Sequence, residues 1–418
     1  MTLGPESPAP ESPAAGASLH RNVWATSGTS FLTDVSSEMI LNVLPLFLAN
    51  VLGVRVWAVG VVEGLADATA ALLKLYSGWL SDRTGRRKWL AVTGYAVSSA
   101  VKPLYLMAAS WTAVAGIRLG DRVGKGIRTA PRDALLADSS ARSRRGLVFG
   151  IHRAADTAGA VVGLLVTVAV VERMQAGGSL LTAETFRTLV LWSLVPAFLA
   201  VLVLAVGARD VARVPDAERR PPPRIRLRGL GRGFGWFTVC AVLFQLGNSA
   251  DAFLILRAQE RGLSLSEILW LLVAFNVVYA LVAAPGGALA DRLGRKRVLL
   301  GSWLLYGFCY MGFAMARTGG HIVALYLPYA VYHGLSAGAA KALVSDLVPA
   351  ELRALAYGGY AAAVGIVALP ASLLAGLLWE GVGDWRGFGP AAPFWFGAAT
   401  GVLAALLLLV TVPDEATA

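Results

Sequence analysis

The chain of 418 residues is 56% hydrophobic and 15% charged, and its mean hydropathy is +0.62. Soluble globular domains are much less apolar, and the apolar runs here repeatedly reach the roughly 20 residues that cross a bilayer. The net charge of +11 lies mainly in short loops between those runs, where membrane orientation explains it better than nucleic-acid binding. The composition therefore predicts a protein embedded in the lipid bilayer and excludes soluble enzymes and nucleic-acid-binding proteins.

Twelve apolar segments follow a Pro/Ala/Ser-rich start, residues 1–22, which has no apolar periodicity and is predicted to be disordered in the cytoplasm. The segments are continuous apolar runs without strict alternation, so they are predicted to be helices rather than barrel strands. Their predicted positions are 24–52, 56–81, 89–109, 111–132, 146–171, 187–207, 236–257, 265–290, 298–317, 320–345, 354–379 and 391–412.

Loop cations predict the orientation of these helices. Four cations lie in loop 83–88, four in loop 292–297 and eight in the linker 209–232, whereas the alternate loops hold few. Because cytoplasmic loops are enriched in Lys and Arg, both termini and the linker are predicted to be cytoplasmic, with the protein multi-pass in the plasma (inner) membrane. The predicted domains are an N-terminal six-helix bundle over 23–208, a basic linker over 209–235, a C-terminal six-helix bundle over 236–413 and a tail over 414–418.

An eleven-residue motif interrupts the apolar runs twice, at 78–88 and 287–297, and its two aspartates lie half a chain length apart. The repeat continues beyond the motif, since an aspartate recurs at 138 and 346 and a glycine at 126 and 334. The chain is therefore a tandem duplication. The motif positions are Gly78, Asp82, Arg83, Gly85 and Arg86 in the first copy and Gly287, Asp291, Arg292, Gly294 and Arg295 in the second.

Both copies match the signature loop of the major facilitator superfamily at every specified position, and the chain resembles that family over its whole length. Arg122, four residues before Gly126, is also similar to the family's fourth-helix motif. The resemblance implies an all-α fold of 12 transmembrane helices in two pseudo-symmetric six-helix bundles that rock about a central cavity. It implies a secondary transporter, similar to bacterial exporters of multidrug or siderophore type.

The signature loop is expected to act as a gate. Asp82, at the end of segment two, is placed to pair with a loop arginine or a neighbouring helix N-terminus, and Gly85 permits a tight turn. Such contacts, made when the halves close on the cytoplasmic side, bias the outward-facing state. The alternative is that these cations only set the topology.

Ionisable residues inside the helices are functional hypotheses, because a charge in the bilayer is costly. Segments one and two each carry two acids at i,i+4 spacing, which places each pair on one helix face. The proton-coupling candidates are Asp34, Glu38, Glu63 and Asp67. The candidates for a cavity that binds substrate or sets the coupling carboxylate are Arg118, Asp121, Arg122, Lys125, His152, Arg153, Asp156, Asn248, Asp251 and Lys341.

Two interpretations of these charges remain open. In the functional one, a buried carboxylate accepts and releases the coupling proton, and the cations of segment four bind substrate or tune that carboxylate. In the structural one, the acids of segments one and two neutralise the arginines of segment four. The paired acids of segment one are the preferred coupling site. The second half is expected to contribute aromatic surface through Tyr279, Tyr332 and Tyr360.

The substrate is predicted only by class. Five cations on segment four favour an organic anion, whereas a cationic drug fits if the acids are not fully paired. Proton-coupled efflux of a small organic solute is the favoured function, with proton symport, uptake or uniport of an organic anion as alternatives. We predict a monomer whose coupling ion is H⁺, with no catalytic residue, metal site or other cofactor.

Two other classes compete with a transporter. One is a non-transporting membrane receptor, and the other is a membrane-embedded enzyme. The stretch 120–125 superficially resembles a phosphate-binding loop, but its glycine spacing is wrong and Gly126 stands where Ser or Thr is needed.

Overall fold

The structure is a computed structural model that describes residues 19–141, 144–175, 178–211, 230–349 and 352–413. Within these ranges the chain is helical without a strand, and the all-α architecture predicted from the sequence is confirmed. Twelve helical segments occur: α1 (Arg21–Val51), α2 (Val56–Thr84), α3 (Arg87–Val101), α4 (Trp111–Asp138), α5 (Arg145–Met174), α6 (Ala183–Gly207), α7 (Arg232–Glu260), α8 (Leu265–Leu293), α9 (Arg295–Met315), α10 (Gly319–Asp346), α11 (Arg353–Glu380) and α12 (Ala392–Thr411).

The observed bounds differ slightly from the predicted ones. α1 begins at Arg21 and α7 at Arg232, a few residues before the predicted bundle starts at 23 and 236. Most of the predicted disordered start, the middle of the linker (212–229) and the tail 414–418 lie outside the described residues. In the part of the chain that is described, nine of the helices are long and apolar enough to cross a membrane.

The helices pack as two halves that repeat each other. In the first half α1 packs on α5 and α6, while α4 packs on α2 and α3; in the second half α10 packs on α8 and α9, while α12 packs on α7 and α9. Gly126 of α4 lies against Ala70 and Leu73 of α2, and Gly334 of α10 lies against Val282 and Ala283 of α8. The duplication seen in the sequence is therefore also a duplication of helix contacts.

The halves meet mainly where α2 packs on α11 and α5 packs on α8. A Cβ placed on Gly60 of α2 would lie 2.2 Å from the carbonyl oxygen of Ser372 on α11, and one on Gly376 would lie 2.5 Å from the Cα of Trp57. Small residues let two helix backbones approach closely inside a membrane. These glycines therefore fix the tight α2–α11 contact.

Two helices are interrupted beside the halves' interface. α1 is regular over Arg21–Leu41 and ends in a π-turn at Phe47–Val51, after Pro45. α7 is regular over Arg232–Gly247, loses helical geometry through residues 248–251 and resumes at Ala252–Glu260. The sequence predicted an unbroken seventh segment, so this break is a correction.

Candidate functional site

A cavity of about 400 Å³ lies between the two halves. Its first wall, the N wall, is built by α1, α2 and α4, and its second wall, the C wall, by α7, α8, α10 and α11. The residues that carry its chemistry are Glu38, Asn42, Glu63, Asp67, Arg118 and Arg122 on the N wall and Gln245, Asn248, Asp251, Phe275, Tyr326, Tyr329 and His333 on the C wall.

The arginines of the N wall are already paired with acids. Arg118 Nη2 donates to Glu63 Oε2 at 2.6 Å, and Arg118 Nη1 lies 3.7 Å from Asp121 Oδ2. Arg122 Nη2 lies 3.6 Å from Asp67 Oδ1. The acids of α2 therefore neutralise the arginines of α4, as the structural interpretation of the sequence expects.

Glu38 is different, because its carboxylate has no cationic partner. Its Oε2 accepts a hydrogen bond from Asn42 Nδ2 at 2.6 Å, one turn along α1. No cationic nitrogen of the described residues lies within 4.0 Å of this carboxylate. Glu38 is thus a carboxylate of the cavity wall held by a neutral amide.

The C wall is aromatic, with one carboxylate. Asp251 lies at the break of α7, is exposed to the cavity, and its Oδ1 accepts a hydrogen bond from Tyr329 Oη at 3.1 Å. The rings of Phe275, Tyr326 and Tyr329 stand with centroids 5.8 to 6.0 Å apart. His333 packs edge-on against Tyr329 at 4.8 Å.

Comparison with known proteins identifies the family of the chain. The family model of the Major Facilitator Superfamily matches residues 26–257 and 236–418. An uncharacterised MFS-type transporter from Methanocaldococcus jannaschii is 33% identical over 404 residues, which cover 94% of this chain and 95% of that protein. The chain belongs to the major facilitator superfamily. It is therefore a multi-pass membrane protein of a transporter family.

Two further similarities are more distant. The quinolone resistance protein NorA of Staphylococcus aureus is 26% identical over 160 residues, 37% of this chain and 38% of that protein. The crystal structure of a D-xylose-proton symporter has a TM-score of 0.73 at 17% identity, covering 94% of this chain and 98% of the symporter. At that identity the second similarity shows the superfamily fold alone.

Half of the residues predicted for the cavity do not line it. Glu38, Glu63, Asp67, Arg118, Arg122, Asn248 and Asp251 line the cavity, whereas Asp34, Asp121, Lys125, His152, Arg153, Asp156 and Lys341 do not. The tyrosines expected from the sequence to supply aromatic surface, Tyr279, Tyr332 and Tyr360, do not line this cavity either.

Several of the excluded residues lie elsewhere between the helices. Arg153 Nη2 donates to Tyr279 Oη and so joins α5 to α8. His152 Nε2 lies 3.8 Å from Asp156 Oδ1 on the same helix. The Arg153 contact therefore crosses the halves, whereas the His152–Asp156 contact stays within α5.

The structure also shows residues that sequence reasoning missed. Asn42, Phe275, Tyr326 and Tyr329 line the cavity although none was selected from the sequence. The spacing of Asn42, four residues after Glu38, was a usable signal, because i and i+4 side chains meet on a helix. The aromatic residues gave no such signal, since rings are common throughout the apolar segments.

In the superfamily's signature loop the aspartate pairs within its own half. Gly85 ends α2 with φ +65°, a left-handed conformation that glycine adopts readily. Arg87 Nη2 then reaches Asp82 Oδ1 at 3.1 Å and Arg87 Nη1 reaches Asp138 Oδ2 at 2.5 Å. Asp82 therefore pairs with a loop arginine, as expected from the sequence, and that arginine is Arg87.

The second copy of the loop repeats this arrangement with one change of position. Arg295 lies 3.5 Å from Asp291 and also pairs with Asp346, the counterpart of Asp138. By motif alignment, however, Arg295 corresponds to Arg86 rather than to Arg87. The aspartates are therefore equivalent in the two halves, whereas the arginine that bridges them is shifted by one residue.

The two ends of the molecule differ in how the halves meet. We call the end with loops 83–88 and 292–297 the motif end, and the opposite end, with loop 52–55, the distal end. At the distal end Arg55 Nε lies 3.4 Å from Glu380 Oε1, and Trp270 Nε1 donates to Glu172 Oε1 at 3.2 Å, each across the halves. The distal end is therefore held closed.

The motif end contains like charges from both halves. Lys74 of α2 and Lys341 of α10 are both exposed. Asp82 is 68% exposed and makes its ion pair within the first half. The ion pair and the hydrogen bond at the distal end favour the distal-closed arrangement seen here.

Proposed function

We propose that the protein is a proton-coupled secondary transporter that exports a small organic solute by alternating access. The observation that carries this proposal is Glu38, a carboxylate on the cavity wall that bonds to an amide and to no cation among the described residues. A carboxylate without a fixed counter-charge can take up a proton when the cavity faces one side of the membrane and release it when the cavity faces the other.

The position of Asp34 supports a proton path between Glu38 and the cytoplasm. It lies one helical turn from Glu38 on α1, on the side of the motif end, and is half-buried. If cation-rich loops face the cytoplasm, the motif end is cytoplasmic. The proton would then pass between Glu38 and the cytoplasm by way of Asp34, while the acids of α2 keep their arginine partners.

Two observations support export. With the motif end cytoplasmic, the cavity of this distal-closed structure is on the side where an exporter in the plasma membrane collects its substrate. The partial similarity to a quinolone resistance protein is consistent with the same direction, because export of a drug produces resistance to it.

One observation favours a second function, symport or uniport of an organic anion. Lys74, Lys125 and Lys341 are all exposed toward the motif end, and a positive approach attracts anions. None of these lysines lines the cavity. We therefore rank anion transport second. The liposome experiment below distinguishes it from proton-coupled export.

The test is proton movement in liposomes that contain the purified protein and a pH-sensitive dye, challenged with a panel of organic cations and anions. We expect at least one compound to dissipate an imposed pH gradient with wild type, and Glu38→Gln to abolish the proton signal. Glu184→Gln, which removes an exposed carboxylate outside the cavity, should match wild type. The proposal is contradicted if a compound moves without protons in wild type, or if Glu38→Gln gives the same proton signal as wild type. Movement of an anion together with protons indicates the second function.

A further inference from the structure

The charge balance of the cavity does not match the number of cations on α4. Each arginine that lines it lies beside an acid of α2: Arg118 donates to Glu63, and Arg122 Nη2 lies 3.6 Å from Asp67 Oδ1. The charge of each arginine is therefore balanced by a carboxylate. Of the four acids that line it, Glu38 and Asp251 remain without a cation within ion-pair distance among the described residues. The charges left over for a ligand are therefore negative.

Among the described residues, no helix cap or ion pair accounts for the carboxylate of Asp251. It stands at the N-terminus of the second part of α7, where an aspartate commonly caps the helix, yet its side chain makes no capping hydrogen bond. The nearest cation along α7, Arg257, is buried and bonded to Glu260 and to the carbonyl oxygens of Phe313 and Ala314. The carboxylate accepts only a neutral hydroxyl bond from Tyr329 within the described structure.

The surroundings of Asp251 suit an organic cation. Phe275, Tyr326 and Tyr329 form a cluster of edge-on and tilted rings on the same wall, and aromatic rings attract ammonium and other onium groups.

We propose that the substrate is an organic cation, an amine or onium compound with an apolar body, whose charged group binds Asp251 and whose body packs on Phe275, Tyr326 and Tyr329. This inference rests on the proposed function, in which the cavity is the substrate site. Its volume of about 400 Å³ falls within the roughly 300–1,000 Å³ of sites that take drug-sized ligands. Glu38 stays free for the proton, so cation and proton use opposite walls.

The test is equilibrium binding to the full chain in lipid nanodiscs, with empty nanodiscs subtracted for partitioning. The probes are tetraphenylphosphonium and tetraphenylborate, which have the same shape and opposite charge. We expect saturable binding of the phosphonium only, weakened by about tenfold or more in Asp251→Asn, which is the effect of one lost ionic contact of about 1.4 kcal/mol.

Two further variants complete the test. Phe275→Leu keeps the charge and removes one ring, and should weaken phosphonium binding severalfold even if Asp251→Asn folds poorly. Glu184→Gln, outside the cavity, should bind as wild type. Saturable binding of the borate alone, or unchanged phosphonium affinity in both Asp251→Asn and Phe275→Leu, overturns the cation site. Failure of the cation site appears in the binding of these variants, whereas failure of proton coupling appears in the proton movement of Glu38→Gln, so the two failures are distinguishable.

Discussion

The two walls of the cavity hold their polar groups in opposite ways. On the N wall each arginine lies within 3.6 Å of a carboxylate of the neighbouring helix, whereas on the C wall the carboxylate of Asp251 stands among aromatic rings. A charge that is fully paired has little capacity left for a ligand, because binding would have to break the pair. The number of charges on a wall therefore does not measure its capacity to bind a charged ligand.

The largest effect should come from breaking a pair of the N wall. Arg118→Leu leaves Glu63, which is 7% exposed, as a buried carboxylate without its partner, and we expect a loss of about 3–5 kcal/mol in stability. The measurement is thermal unfolding of the purified protein. The double variant Arg118→Leu/Glu63→Leu should recover most of the loss, and an unfolding midpoint of the single variant equal to wild type would show that the pair is not structural.

A smaller effect should come from the C wall. Tyr329→Phe keeps the ring and removes the hydroxyl that donates to Asp251 at 3.1 Å, a hydrogen bond whose loss costs about 1 kcal/mol. Phosphonium affinity in nanodiscs should fall by about fivefold while the unfolding midpoint changes little. Tyr326→Phe is the matched control, since no hydrogen bond of its hydroxyl occurs within the described structure, and equal effects of the two variants would contradict this role of Tyr329.

The smallest effect should arise outside both walls, at the distal end. Arg55 and Glu380 are 42% and 35% exposed, so their ion pair contributes up to about 1 kcal/mol. Glu380→Gln should shift the conformational equilibrium by at most about fivefold toward distal opening, measured as distances between spin labels in loops 52–55 and 381–389. Phosphonium binding to the closed cavity should be nearly unchanged, and a large loss would show that the walls are not independent of the distal contacts.

Much of the fold could be predicted from the sequence, because its determinants are local. Apolar runs of bilayer length gave the twelve helices, and the repeated loop with Asp82 and Asp291 gave the two halves. The break in α7 was missed because it contains no proline, although its residues 247–251 include Gly, Asn, Ser and Asp, which commonly end helices.

The candidate site was predicted only in part. The i,i+4 spacing of the acids on α1 and α2 placed Glu38, Glu63 and Asp67 on the cavity, because helix periodicity alone sets which residues share a face. Which acid neutralises which arginine depends on how α2 is rotated against α4, a tertiary property. Counting the cations of α4 therefore favoured an anionic substrate. In the cavity, however, Glu38 and Asp251 have no cation within ion-pair distance among the described residues.

The most direct test of the account compares Glu38→Gln and Asp251→Asn in one liposome preparation, with labelled phosphonium exchange and proton movement measured together. We expect Glu38→Gln to exchange phosphonium across the membrane but no longer to move protons. Asp251→Asn should lose phosphonium exchange, because the cation no longer binds. If Glu38→Gln loses exchange while Asp251→Asn retains it, the two walls have the opposite roles and the assignment of proton and substrate made here is wrong.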